Sequence, residues 1–259
     1  MDDAMYTFIS DVTRQAGALA LRYFRTDTLR TDFKGTWDPV TEADRAAEEL
    51  IIAAVRERFP AHDILGEESG RSGTTAPVCW LIDPLDGTHN FSRGLATWCV
   101  SVALAEDGDI RYGAIFDPVH DELFYAERGA GALCNGQPIR TSGVVAPADA
   151  VVYCKSAHGA QQQLTLHIAE RLWGGVMRLR MLGSIGVALG AVAAGRMDAV
   201  IEPCGGPWDC AAGGLLVREA GGQTSTLDGR PLLAADATVL AAATPELHTA
   251  LQAIVASNQ

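Results

Sequence analysis

Apolar residues recur three and four apart at Met5, Phe8, Ile9, Val12, Ala16, Leu19, Ala20 and Tyr23, which predicts an amphipathic helix over 4–25. A polar link, LRTDFKGTWDPVTEAD, follows. In it Thr41 and Asp44 read as an N-cap with an acidic third position, opening a second helix that runs to about residue 59. AHDILGEES then reads as a short strand that leaves Glu67 and Glu68 at its end, and PVCWLIDP as a buried strand that delivers Asp83 at its carboxyl end. TWCVSVAL, IRYGAIFD and ELFYAER are separated by the turn-rich EDGD and PVHD, the pattern of an antiparallel meander. Residues 1–145 therefore read as an α+β half, helices on an antiparallel sheet.

The rhythm changes beyond residue 146. AVVYC, GVMRLRML and MDAVIEP look like strands, with apolar helical stretches at 161–172 and 184–194 between them, and such alternation implies α/β. A helix through CAAGGLLVREAGG ends at a glycine pair suited to a C-cap, and the strand TVLAAAT and a helix from about Pro245 complete the half at 146–259. Neither repeats nor low-complexity tracts interrupt the pattern.

Composition narrows the function. The chain of 259 residues is 48% apolar and 20% charged, an ordinary globular profile, and its formal net charge of −12 argues against direct binding to nucleic acid, which needs clustered Lys and Arg. The opening MDDAMYTFIS lacks the basic and apolar regions of a signal peptide, and no apolar run is long enough to cross a bilayer, so a cytoplasmic protein without a membrane partner is expected. The six cysteines form no C-x-x-C pair and read as reduced thiols, which also disfavours a zinc site.

The candidate chemistry lies in GEESG and WLIDPLDGTHNF. Asp83 and Asp86 flank a Pro-Leu bend where both carboxylates and the Leu85 carbonyl can face one point, the arrangement a hard, oxygen-seeking cation requires. Clustered carboxylates raise one another's pKa, and Mg²⁺ or Mn²⁺ would supply the missing positive charge. The alternative, that Glu68 and Asp86 face solvent on loop tips, stays open at this level. Gly87 permits close backbone approach, and if Thr88 and His89 open a short helix their free N–H groups form an anion pocket, although an Asp-Gly pair also marks plain turns.

Taken together, GEES, WLIDPLDGTHNF and PWDCAAGGLLVREAGG resemble the inositol monophosphatase family of Mg²⁺-dependent, lithium-sensitive phosphatases, within the superfamily that includes fructose-1,6-bisphosphatase. The likeness runs through essentially the whole chain. It implies a layered αβαβα sandwich of the sugar-phosphatase type, a homodimer, and two or three Mg²⁺ ions per site, with Mn²⁺ as a substitute. By that resemblance Glu67 binds the first metal and helps activate water, Asp83 bridges two metals, the Leu85 carbonyl is a backbone ligand, and Asp86 and Asp209 complete the second site. Gly87 and Thr88 match the phosphate-cradling turn, Asp44 the partner of Thr88 in orienting water, and Lys34 the lysine of a mobile loop. Substrate contacts fall on Asp86, Gly87, Thr88, Gly183, Ser184, Ile185, Glu202 and Asp209. Glu68 reads as a surface acid or one standing behind the metal. Ile185 replaces a common alanine and should narrow the pocket, His89 replaces a threonine and either adds a titratable donor or faces solvent, and Trp37 either covers the substrate or anchors its loop.

The resulting expectation is a phosphomonoesterase acting on inositol monophosphate or a similar polyol phosphate. Two alternatives are carried: a histidinol-phosphate phosphatase, suggested by DPVTEADRAAE, and a binding partner of the transcription or ribosome-assembly machinery with catalysis secondary. A bisphosphatase is disfavoured, because only Lys155, Arg178 and Arg180 offer a second phosphate a partner.

Overall fold

The amino-terminal stripe folds as α1 (Asp3–Leu21), capped by Asp2, whose Oδ1 accepts the amides of Ala4 and Met5 at 3.0 and 3.1 Å. It ends earlier than the expected residue 25, since the chain turns through 22–25 and Arg25 adopts φ 60°. The computed structural model describes residues 1–73, 76–155 and 159–256, so the last three residues of the expected second half lie outside it. The polar link contains a hairpin that the sequence pattern did not predict, β1 (Thr31–Gly35) and β2 (Asp38–Thr41). It leads directly into α2 (Glu42–Arg58), where the Thr41 amide donates to Asp44 Oδ2 at 2.8 Å and closes the expected capping box.

The first sheet is assembled from β3 (Asp63–Gly66), β4 (Gly70–Ser72) and β5 (Val78–Asp86), then, after the single-turn helix α3 (Thr88–Ser92), from β6 (Cys99–Glu106), β7 (Asp109–Asp117), β8 (Glu122–Glu127), β9 (Gly131–Cys134) and β10 (Gln137–Pro138). Its order is β10-β9-β8-β7-β6-β5-β3-β4. The expected meander is present in β6 to β8, but the sheet is mixed, because β3 runs parallel to β5. Hydrophobic residues beyond β3 are too few to reveal which way it would pair.

The second sheet contains β11 (Val151–Cys154), β12 (Arg178–Arg180), β13 (Ala199–Pro203), β14 (Gln223–Ser225) and β15 (Thr238–Ala242), in the order β12-β11-β13-β15-β14. Its helices are α4 (Gln162–Leu172), α5 (Ile185–Ala193), α6 (Pro207–Glu219) and α7 (Pro245–Ala256). β11 pairs in parallel with β12 and β13, whereas β13, β15 and β14 pair antiparallel, so this sheet too is mixed.

The period of two in the strands sorts side chains into layers. On β5 and β6, Trp80, Ile82, Val100, Val102 and Leu104 face α1 and α2, while Leu81, Cys99, Ala103 and Ala105 face the interior shared with α5, α6 and the second sheet. α4 and α7 cover the far face of the second sheet around Ile168, Leu172, Leu247 and Leu251. The result is five layers, αβαβα, as the sequence reading expected.

The layers approach most closely where glycine removes a side chain. A Cβ on Gly113 of β7 would lie 2.8 Å from the Ala212 Cα of α6, and one on Gly213 would lie 2.4 Å from Leu189 Cδ1 of α5. The obstacle to Gly113 is backbone, which cannot swing aside as a side chain can. Gly113→Val is therefore expected to destabilise the protein by about 1–3 kcal/mol, read as a lower urea midpoint at unchanged slope. An unchanged midpoint would show that the layers separate freely.

Candidate active site

A cavity of about 770 Å³ opens between the sheets, with Glu67, Asp83, Asp86 and Asp209 on its acidic side and Lys34 and Lys155 on its wall. Strand geometry alone would not bring Asp83 and Asp86 together, since residues three apart on a regular strand face opposite ways. The register breaks between them. Asp83 lies opposite Ser101 and Asp86 opposite Cys99, three steps on β5 against two on β6. Pro84 offers no N–H to the ladder, and the Leu85 amide donates to Asp83 Oδ1 at 3.0 Å. The Leu85 side chain is turned into an apolar pocket with Ala20, Ala43, Phe91 and Trp98, while its carbonyl lies 3.0 Å from the Thr88 hydroxyl.

Each remaining acid is steadied by protein donors. Asp86 Oδ2 accepts from the Ser184 hydroxyl and the Gly186 amide, both at 2.6 Å, at the amino end of α5 where a negative charge is favoured. Asp209, at the third position of α6, reaches back to the Gly205 and Gly206 amides at 2.5 and 3.4 Å. Glu67 leaves β3 with its amide on the Ile82 carbonyl at 3.0 Å, and its carboxylate lies 3.1 Å from Lys34 Nζ. Gly87 takes φ 100°, and a Cβ there would meet the Thr97 carbonyl oxygen at 2.9 Å. Thr88 Oγ1 stands 3.0 Å from Asp44 Oδ1, and the other oxygen of that buried carboxylate accepts from Thr41.

Electrostatics mark the site as short of positive charge. Burial first, then Glu67, Asp86 and Asp209, hold the Asp83 carboxyl well above the usual range. Burial lifts Glu67 to about 7, opposed by Lys34 and reinforced by Asp209. Burial lifts Asp209 to about 6, opposed by Lys155 and reinforced by Asp86. Among the described residues no three His, Cys, Asp or Glu side chains gather tightly enough to enclose an ion by themselves. This donor set nevertheless fits a small divalent cation. Its atoms are all hard oxygens, it buries more negative than positive charge, and Mg²⁺ commonly binds through one or two carboxylates and keeps waters or phosphate oxygens for the rest.

Several expectations change on inspection. Glu68 is not a solvent-facing acid: its carboxylate is nearly buried against Lys34 Nζ at 2.8 Å, and its amide donates to Glu48 Oε1 at 3.0 Å. Glu48 escaped the sequence reading, although a charged residue on the stripe formed by Ala47, Ile51 and Val55 was a signal. The Ile185 side chain does not narrow the cavity, because it is 2% exposed and packs in the interior core, leaving Gly183 on the wall. Glu202 is 1% exposed, behind the wall rather than on it, with Lys155 Nζ 3.4 Å away. His89 Nε2 lies 2.9 Å from the Trp37 carbonyl oxygen and so joins the β1-β2 hairpin to α3, while the Trp37 indole remains 60% exposed. Arg178 and Arg180 are exposed on β12 and do not line the cavity.

Comparison with known proteins bears on the family and the fold. The model of the inositol monophosphatase family matches residues 1–259. An inositol-1-monophosphatase of Mesorhizobium japonicum is 38% identical over 230 residues, covering 87% of this chain and 86% of the relative. A protein named Nus factor SuhB of Escherichia coli is 40% identical over 220 residues, 83% and 82% of the two chains. Among solved structures, the extragenic suppressor protein suhB of Bartonella henselae superposes with a TM-score of 0.93 at 32% identity, over 99% of this chain and 100% of that one. An IMPase of Thermotoga maritima does so at 0.86 and 32% identity, over 98% and 97%. On sequence and fold alike, the chain belongs to the inositol monophosphatase family.

Proposed function

We propose that the protein is a divalent-metal-dependent phosphomonoesterase acting on inositol monophosphate or a similar polyol phosphate. The observation that carries the reading is the gathering of Glu67, Asp83, Asp86 and Asp209 on one cavity beside the Gly87 turn. Glu67, Asp83, the Leu85 carbonyl, Asp86 and Asp209 would hold two or three Mg²⁺ ions. Such ions supply charge neutralisation at the phosphoryl oxygens and acidify a water for in-line attack.

The chain's own residues do the positioning. The Thr88 hydroxyl donates to Asp44, which leaves its lone pairs to accept a hydrogen bond from a water and fix its direction. Asp44 is kept 1% exposed, so that acceptor does not wander. Gly87 and the first amides of α3 face the phosphoryl oxygens. Lys34 Nζ, 3.1 Å from Glu67 and 2.8 Å from Glu68, would compete with a cation for the Glu67 carboxylate and ties the β1-β2 hairpin to the acidic side of the cavity.

A second reading is kept because close relatives are named Nus factor SuhB. In that reading the chain is a binding partner in transcription or ribosome assembly and its catalysis is secondary. Asp83→Asn separates the two, since a cellular role that outlives the loss of hydrolysis belongs to binding.

Phosphate release from inositol 1-phosphate, histidinol phosphate, fructose 1,6-bisphosphate and 3′-phosphoadenosine 5′-phosphate is expected to favour the first, to require Mg²⁺ and to fall with Li⁺. Absence of hydrolysis with every divalent ion would end the catalytic reading. Glu67→Gln and Asp83→Asn are each expected to lower kcat roughly a thousandfold or more, and near-normal rates in either would refute the ligand assignment. In chelator the same Asp83→Asn change should raise the melting temperature by about 2 °C or more, on the order of 1 kcal/mol, because it removes a buried repulsion. Added Mg²⁺ should stabilise the unmodified protein more than the variant, and equal stabilisation would place the ion elsewhere.

A further inference from the structure

The cavity is built from both sheets. The acids and the Gly87 turn come from the first sheet and α6. The carboxyl end of β11 adds Lys155 to the wall, near enough to Asp209 and Asp86 to act on both. The parallel register that sets Cys154 beside Ile201 makes Lys155 and Glu202 the next neighbours, and Lys155 Nζ lies 3.4 Å from Glu202 Oε1. The pair is lopsided. Glu202 is buried, and its Oε2 has no hydrogen-bond partner among the described residues, whereas the Lys155 side chain is 31% exposed and lines the cavity.

Lys155 is also secure as a cation. Burial works to lower its pKa, yet Glu202 and then Asp209 raise it above the ordinary value. The other lysine on the wall, Lys34, is shared among Asp38, Glu67 and Glu68. Lys155 therefore presents a positive charge and ammonium N–H donors to the same cavity that the acids line. A hydroxyl or carboxylate oxygen satisfies those donors, and an ammonium or imidazolium group meets repulsion instead.

We propose that Lys155, anchored on Glu202, is a specificity-determining residue that accepts neutral or anionic polyol leaving groups and rejects cationic ones. The inference rests on the phosphomonoesterase reading above, and it disfavours amino-alcohol phosphates such as histidinol phosphate as substrates of this same site.

The test measures kcat and KM with Mg²⁺ for inositol 1-phosphate, histidinol phosphate and p-nitrophenyl phosphate, in the unmodified protein, in Lys155→Met and in the double variant Lys155→Met/Glu202→Gln. Lys155→Met leaves a buried carboxylate without its cation, so the double variant, which removes both charges, preserves a folded arm. The unmodified protein should prefer inositol 1-phosphate over histidinol phosphate. Lys155→Met should raise KM for the polyol ester and improve kcat/KM for the cationic one, moving the preference about tenfold or more, with the double variant in between. A preference that moves less than twofold in both variants would overturn the inference. So would an equal loss for all three esters, which would put Lys155 on the phosphoryl group. If the unmodified protein hydrolyses p-nitrophenyl phosphate while the preference fails to move, only the role of Lys155 is lost. If it hydrolyses none of the three, the phosphomonoesterase reading falls and the inference falls with it.

Discussion

A break in strand register at Pro84 and Leu85 is the constraint on which the site depends. Regular alternation would send Asp83 and Asp86 to opposite faces of β5, one into the α1-α2 layer and one into the interior. The extra residue turns Leu85 outward into the pocket of Ala20, Ala43, Phe91 and Trp98 and returns Asp86 to the interior face. The apolar pocket and the acidic cluster are thus two results of one distortion. Burial of Leu85 helps hold a backbone shape that no hydrogen-bond ladder enforces, and that shape exposes the Leu85 carbonyl beside the two carboxylates.

Concentrating negative charge in this way works against folding when nothing positive is bound. Burial raises Glu67, Asp83, Asp86 and Asp209 together, and repulsion from neighbouring acids adds to it at Glu67, Asp83 and Asp209. The available answers are Lys34, Lys155 and the helix-end amides on Asp86 and Asp209. Those answers are partial, since the carboxyls stay raised despite them. The amides hold one oxygen of each acid by short, directional contacts, so its geometry is set before any ligand arrives.

Much of this was legible in the sequence. The α+β and α/β halves follow from the strand and helix periodicities, and GEES, WLIDPLDGTHNF and PWDCAAGGLLVREAGG carry the family, whose resemblance implies the five layers. What escaped did so for identifiable reasons. In the β1-β2 hairpin β1 is exposed along nearly its whole length and β2 is a run of four residues with Pro39, Val40 and Thr41 all buried, so no hydrophobic alternation announces it. The parallel pairing of β3 with β5 is a tertiary choice that a four-residue strand does not encode. Glu48 was hidden by its helix, since a periodicity reading looks for apolar residues and passes over the one charge among them. Ile185 was misjudged because a residue can belong to a site through its backbone while its side chain belongs to the core, and Asp86 is held by the Gly186 amide and the Ser184 hydroxyl on either side of it.

The two sheets divide the chemistry between them. The first sheet, rigid in its eight-stranded register, supplies Glu67, Asp83 and Asp86, groups that any phosphate ester would require regardless of the alcohol it carries. The second supplies Lys155 and Glu202 at the ends of adjacent parallel strands, where a side chain can change without disturbing the register that places the acids. Asp209 belongs to α6, the helix packed between the sheets. On the proposed reading such an arrangement would separate the groups that serve hydrolysis from those that serve selection, and would place substrate preference at β11 and β13, which the conspicuous motifs of the first half do not touch.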